Sequence, residues 1–159
     1  MTAQTNVAAT TELSPHPLSE VFPRMDKGEL DILAEDIKRN GLKEPITLFE
    51  GKILDGNNRY RACLKIGYRS KEGDIRQFDI KTHGDPLAFV VSANLHRRHL
   101  NESQRATVAA RLVNSKLGSN QYNRDSVTNE KAAQMLGVSE ATVKVAKDIA
   151  TKASPEIQS

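Results

Sequence analysis

Residues 128–143, Thr-Asn-Glu-Lys-Ala-Ala-Gln-Met-Leu-Gly-Val-Ser-Glu-Ala-Thr-Val, constrain the fold more than any other stretch. Two short helices joined by a tight turn satisfy every position. Gly137 falls at the reversal, where positive φ is needed. Ser139 follows as the N-cap of the second helix. Ala133 is small where the helices cross, Leu136 and Val143 can share a core, and Val138 plugs the angle between them. The spacing predicts helices over about 129–136 and 139–150, a helix-turn-helix within 129–150. Such a unit presents the first turns of its second helix to the DNA major groove. Here those turns carry Ser139, Glu140, Ala141, Thr142, Lys144 and Lys147. The structural alternative is a helical hairpin that touches no DNA. Glu140 cuts both ways, because a carboxylate accepts from a cytosine amino group but is repelled by phosphate.

Upstream, the pattern changes character. Residues 1–16, rich in Thr, Ala and Pro, read as a flexible lead-in, and 18–24 as an extended edge piece with Pro23 blocking helix. Asp26 with Glu29 forms a capping box, and Leu30, Leu33, Ala34 and Ile37 make one apolar stripe ended by Gly41. Residues 45–49 and 52–54, separated by Glu50-Gly51, predict a β-hairpin. After Asp55-Gly56 a helix is expected over 58–66, then a strand near 75–80. Asp85-Pro86 opens a helix carrying Leu87, Val90, Val91 and Leu95. Asn101 with Gln104 opens another, expected to run to Gly118, and 119–127 read as a polar linker. The fold class is therefore α+β. A small mixed sheet-and-helix domain (17–100) precedes an all-α domain (101–159) containing the helix-turn-helix.

Composition removes several function classes. A single cysteine, Cys63, excludes an internal disulfide framework and a multi-cysteine zinc site. His96 and His99 lack partners at ligand spacing, so no metal site is expected. No apolar run is long enough for a membrane span, and 1–11 lack a basic-then-apolar secretory signal. A cytoplasmic location is expected. Net charge is only +3, but its distribution is uneven. Residues 11–50 hold nine acids against five bases, 59–76 six bases against two acids, and 94–124 six bases against one acid. Such blocks fit a polyanion partner or two solvated helix faces.

Two basic corners stand out. Leu54-Asp55-Gly56-Asn57-Asn58-Arg59-Tyr60-Arg61 runs from strand through glycine into a helix start, where outward N–H groups carry partial positive charge. With Arg59 and Arg61 this suits phosphates, with Arg59 expected to aim back at them. The structural alternative is a plain strand-to-helix connection with surface arginines. Asn94-Leu95-His96-Arg97-Arg98-His99 is the second corner.

In order, these pieces resemble the ParB/sulfiredoxin superfamily, and within it the ParB-type partition proteins. The family's first box, an arginine before a helix and then Gly-Leu-x-x-Pro-Ile, is similar to Pro23-Arg24 and Gly41-Leu42-Lys43-Glu44-Pro45-Ile46. Its Gly-Glu-Arg-Arg-x-Arg-Ala box is similar to Gly56-Asn57-Asn58-Arg59-Tyr60-Arg61-Ala62. Its Glu-Asn-Leu-Gln-Arg box, with the helix start that follows, is similar to Ala93-Asn94-Leu95-His96-Arg97 and Leu100-Asn101-Glu102-Ser103-Gln104. The resemblance implies a DNA-binding protein of plasmid or chromosome partition, or of transcriptional regulation, that works on the nucleoid. It implies a homodimer on double-stranded DNA and a CTP site with magnesium. That nucleotide site would comprise Arg24, Gly56, Asn57, Asn58, Arg59, Arg61, Asn94 and Arg97.

The departures bear on chemistry. Asn57 and Ala93 replace the two acids, which weakens the case for magnesium and allows at most slow CTP hydrolysis. Sulfiredoxin activity needs a cysteine where Asn57 stands. An enzyme on the same fold, a nucleotide hydrolase or a free serine kinase, is the alternative function, with no catalytic residue assigned. ParB-type proteins usually continue into a dimerisation domain. A sequence stopping after the helix-turn-helix would be a fragment or a short plasmid- or phage-type relative.

Overall fold

The computed structural model describes residues 12–114 and 127–153. Among the described residues, seven α-helices and a three-stranded mixed sheet make an α+β fold. The chain divides into two compact units, Met1–Val90 and Val91–Ser159, so the division falls ten residues before the expected domain boundary, inside a helix.

In the first unit, α1 (Lys27–Asn40) starts on the expected capping box. Asp26 Oδ1 accepts from Glu29 N at 2.9 Å, and Glu29 Oε2 accepts from Asp26 N at 3.1 Å. Strands β1 (Ile46–Phe49) and β2 (Lys52–Asp55) pair antiparallel. The turn between them needs two left-handed residues, supplied by Glu50 (φ 52°) and Gly51 (φ 73°), the geometry that matches strand twist in a two-residue hairpin. Helix α2 (Asn57–Ile66) follows. Strand β3 (Ile75–Gln77) then joins β1 in parallel, giving the order β2-β1-β3. A one-turn helix absent from the sequence reading, α3 (Ile80–His83), is capped by Asp79.

The core gathers Leu30, Ala34 and Ile37 of α1, Ile46, Leu48 and Ile53 of the sheet, and Tyr60, Ala62 and Cys63 of α2. Two stretches differ from expectation. The lead-in read to residue 16 ends sooner. Ile53 N donates to Ser14 O at 2.9 Å and His16 N to Ile53 O at 2.8 Å, so residues 14–16 lie along the outer edge of β2. Residues 18–24 are not extended. Residues Pro17–Ser19 form a 3-10 turn, held because His16 Nδ1 accepts from Leu18 N and Ser19 Oγ donates to His16 O. This turn buries Leu18, and Val21 and Phe22 beyond it are buried too.

Helix α4 (Pro86–Arg97) begins on the first unit, where Phe89 lies 5.0 Å from the Phe78 ring, and runs into the second. In the second unit α5 (Glu102–Asn114) packs on both α6 (Asn129–Leu136) and α7 (Glu140–Ala153), which also pack on each other. Val108, Leu112, Leu136 and Val143 are fully enclosed. The expected stop at Gly118 and the linker through Ser126 lie outside the described residues. No helix among the described residues is long and apolar enough to cross a membrane.

Candidate functional site

The start of α2 is built around Gly56. Its φ of 107° is left-handed, and a Cβ there would lie 3.1 Å from Arg59 Nη2 and 3.2 Å from Ile46 Cγ1, so the position requires glycine twice over. Arg59 explains the crowding. Its guanidinium folds back across Gly56, donating to Asp55 Oδ2 and Pro45 O at 3.0 Å each and to Glu44 Oε2 at 3.1 Å. Its side chain is 12% exposed. The arginine expected to lead phosphate binding is thus directed at two carboxylates, where it ties the α2 start to the residues before β1.

Arg61 and Arg24 sit differently. Arg61 Nη1 donates to Asn58 Oδ1 at 3.3 Å, and the same oxygen accepts from Met25 N at 3.3 Å. Asn58 therefore brings the residue after Arg24 to the first turn of α2, beside Arg61. Arg24 is exposed, with Glu20 Oε1 3.4 Å from its guanidinium. Asn57 Nδ2 donates to Ser19 Oγ at 2.7 Å. No side chain accepts from the first-turn N–H groups of α2, and Arg61 reaches back to that turn through Asn58. Uncapped N–H groups with an arginine beside them have the chemistry of an oxyanion site.

Magnesium does not fit this turn through the protein's own oxygens. Asp55 and Glu44 are engaged by Arg59, and the Asn57 amide nitrogen is turned to Ser19. No group of three His, Cys, Asp or Glu that could hold a metal occurs among the described residues. Cys63 is buried, and burial, reinforced by the Asp74 charge, pushes its thiol up to about 11, so it stays protonated and is no nucleophile at neutral pH. Asn94 and Arg97 belong to the second unit. Asn94 is buried, and Arg97 Nε donates to Ala93 O on its own helix at 3.2 Å.

In the helix-turn-helix, Thr128 caps α6 by accepting from Lys131 N, and Gly137 ends it at φ 63°. A Cβ at Gly137 would lie 3.1 Å from Arg105 Nη1, which donates to Leu136 O at 3.2 Å and Gly137 O at 2.9 Å. Arg105 thereby clamps the turn from α5, a role the sequence did not signal. Ser139 caps α7 as expected, its Oγ accepting from Thr142 N at 3.0 Å and lying 2.6 Å from Thr142 Oγ1. Glu140 and Lys144 pair at 3.1 Å, so the carboxylate at the start of α7 carries a compensating cation. Ala141 and Lys144 are exposed. Lys147 is half-buried and donates to Asn129 Oδ1 at 3.3 Å, which places it on the α6 side of α7. Sequence reasoning missed Val145 and Ile149, which stand out in water on the outer face.

No family model matches the chain, and no curated protein matches its sequence. Among solved structures, the chain is similar to the C-terminally truncated chromosome-partitioning protein ParB from Caulobacter crescentus complexed with CTP-gamma-S. Identity is 21%, coverage is 84% of this chain and 74% of that one, and the TM-score is 0.33. At that score the match is too loose to transfer a residue or a ligand.

Proposed function

We propose that this chain is a ParB-like DNA-binding protein that docks α7 in the major groove of duplex DNA and holds the phosphates of a ribonucleoside triphosphate at the start of α2. The observation that carries the reading is the α6–α7 pair. A left-handed glycine, an arginine clamp on the turn and a serine cap hold a helix whose outer face is exposed. Rigid presentation of one helix is what groove recognition requires. Ser139, Glu140, Ala141, Thr142 and Lys144 stand at the leading end, with Lys147 bracing α7 against α6.

At the nucleotide turn, Arg24, Arg61 and the N–H groups of Asn57 and Asn58 would hold phosphate oxygens, while Gly56 lets Arg59 lock the turn. CTP, the homodimer, the nucleoid setting and the added contribution of Asn94 and Arg97 rest on the sequence boxes. So does the role in partition or regulation. A triphosphate bound here would bring negative charge that the arginines neutralise. The protein supplies binding and no placed general base, so turnover is slow or absent. Nothing observed favours the hydrolase or kinase alternative, since the carboxylates nearest the turn are held by Arg59.

Titration of labelled duplex DNA at rising salt tests the DNA reading. Binding is expected to weaken as salt rises, and Lys144→Ala to cost about 1–3 kcal/mol without changing the fold. Absence of binding at low salt by the folded chain overturns it.

A further inference from the structure

Ala141, Val145 and Ile149 follow one another at intervals of four residues, and Val145 is 57% and Ile149 63% exposed. Helix geometry turns about 100° per residue. Val143 is fully buried against the other helices, so Val145, about 200° around, points directly away from them. Ala141 stands as far around in the other sense. Single exposed apolar side chains are ordinary. Three of them in a strip that drifts about 80° across the outer face of one helix make a surface with a chemistry of its own.

The polar groups at the leading end of this row are occupied, while Asp148, beside Ile149, is exposed. The Ser139 and Thr142 hydroxyls are bonded to each other and to the α7 cap, and Glu140 is bonded to Lys144. Ala141 and Val145 carry no donor or acceptor, so they cannot read a base edge by hydrogen bonding. The major groove presents one apolar feature, the C5 methyl of thymine. One branched side chain matches it in size. A second copy of the chain is a poorer occupant, because three side chains bury far less than the roughly 1,200 Å² of a stable protein interface. Lys152, exposed near the row, supplies a cation for the flanking phosphates, and Lys144 a second where a phosphate displaces it from Glu140.

We propose that Ala141 and Val145 are specificity-determining residues that read thymine methyl groups in the major groove, with Ile149 extending the contact along the groove. The inference rests on the assignment of α7 to DNA. The test begins by selecting binding sites from a random duplex pool with the full 159-residue chain. Each thymine of the selected site is then replaced by uracil, which lacks only the methyl group. We expect a roughly fourfold loss of affinity for each contacted methyl. Val145→Ala should abolish the thymine–uracil difference at one position while leaving the melting temperature unchanged. Uracil without effect at every position of an enriched site overturns the inference and leaves the DNA reading standing. So does a Val145→Ala variant that discriminates as well as the parent. A folded chain that enriches no sequence and binds no duplex overturns the DNA reading itself. A concentration-dependent dimer broken by Val145→Glu, with no DNA selected, assigns the row to self-association and overturns the inference too.

Discussion

Two glycine turns in this molecule share one device and differ in what it does. At Gly56 and at Gly137 an absent Cβ lets an arginine nitrogen come to 3.1 Å of the place it would fill. At Gly56 the arginine is Arg59, which meets two carboxylates and a carbonyl. At Gly137 it is Arg105, which meets two carbonyls and, among the described residues, no carboxylate. Arg59 is neutralised in place and fastens one part of the fold to another. Arg105, among the described residues, has no carboxylate paired with it at the turn that leads into α7. A basic residue at a glycine turn is therefore no evidence of an anion site by itself. Its acidic neighbours decide which role it takes.

The sharpest way to break this comparison is to remove each arginine. Arg59→Met should cost about 3 kcal/mol in a urea titration, because the buried Asp55 carboxylate loses the guanidinium that pairs with it. Glu44 is 60% exposed, so Glu44→Gln should cost well under 1 kcal/mol. Arg105→Met leaves two carbonyls short of one donor and should cost about 1–2 kcal/mol. Equal losses for the two arginine variants would mean that the carboxylates contribute nothing.

Why the sequence revealed one turn better than the other follows from range. Caps are local. Asp26 with Glu29, Asn101 with Gln104 and Ser139 with Thr142 each act within three residues and were legible from spacing. The hairpin was legible because Glu50-Gly51 separates two apolar runs. The partners of Arg59 were not, since Glu44 lies fifteen residues away and the pairing exists only after the hairpin has closed. The same holds for residues 14–16 beside Ile53, and for Arg105, which is thirty-two residues from Gly137. Of the residues expected at the nucleotide site, Asn58 and Arg61 meet at one turn, where the backbone N–H that follows Arg24 joins them, whereas Asn94 and Arg97 belong to the second unit. Helix phase did predict a shared core for Leu136 and Val143, but the outward Val145 drew no notice because an isolated valine carries no signal.

The next effect concerns the first glycine. Gly56→Ala places a methyl group against Arg59 Nη2 and Ile46 Cγ1 and holds alanine at φ 107°. A cost of about 2–4 kcal/mol is expected, combining backbone strain with the displaced arginine. Combining it with Arg59→Met should give less than the sum, since the two changes share one clash. Strict additivity would show that the guanidinium does not lie over Gly56.

Arg61 sharpens the functional side of the same turn. If phosphate is held by Arg61 rather than Arg59, Arg61→Ala should weaken CTP binding about 10-fold or more in calorimetry, with little change in melting temperature. Arg59→Met, measured where it is still folded, should weaken binding less. The reverse ranking would mean that Arg59 leaves its carboxylates when nucleotide arrives.

The smallest effect separates the two glycines most cleanly. Gly137 has φ 63° and ψ 42°, a left-handed conformation that asparagine tolerates better than alanine does. The atom that a Cβ would meet is the end of the long Arg105 side chain, which can shift by a few tenths of an ångström, whereas at Gly56 the Ile46 side chain is packed in the core. Gly137→Ala should therefore cost only about 1 kcal/mol, and Gly137→Asn less. Both should leave the salt dependence of DNA binding unchanged at temperatures where the chain is folded, because neither removes a cation. If Gly137→Ala instead costs as much as Gly56→Ala, Arg105 cannot yield. The clamp on the turn is then as rigid as the lock at α2, and the difference between the two turns lies in their charge alone.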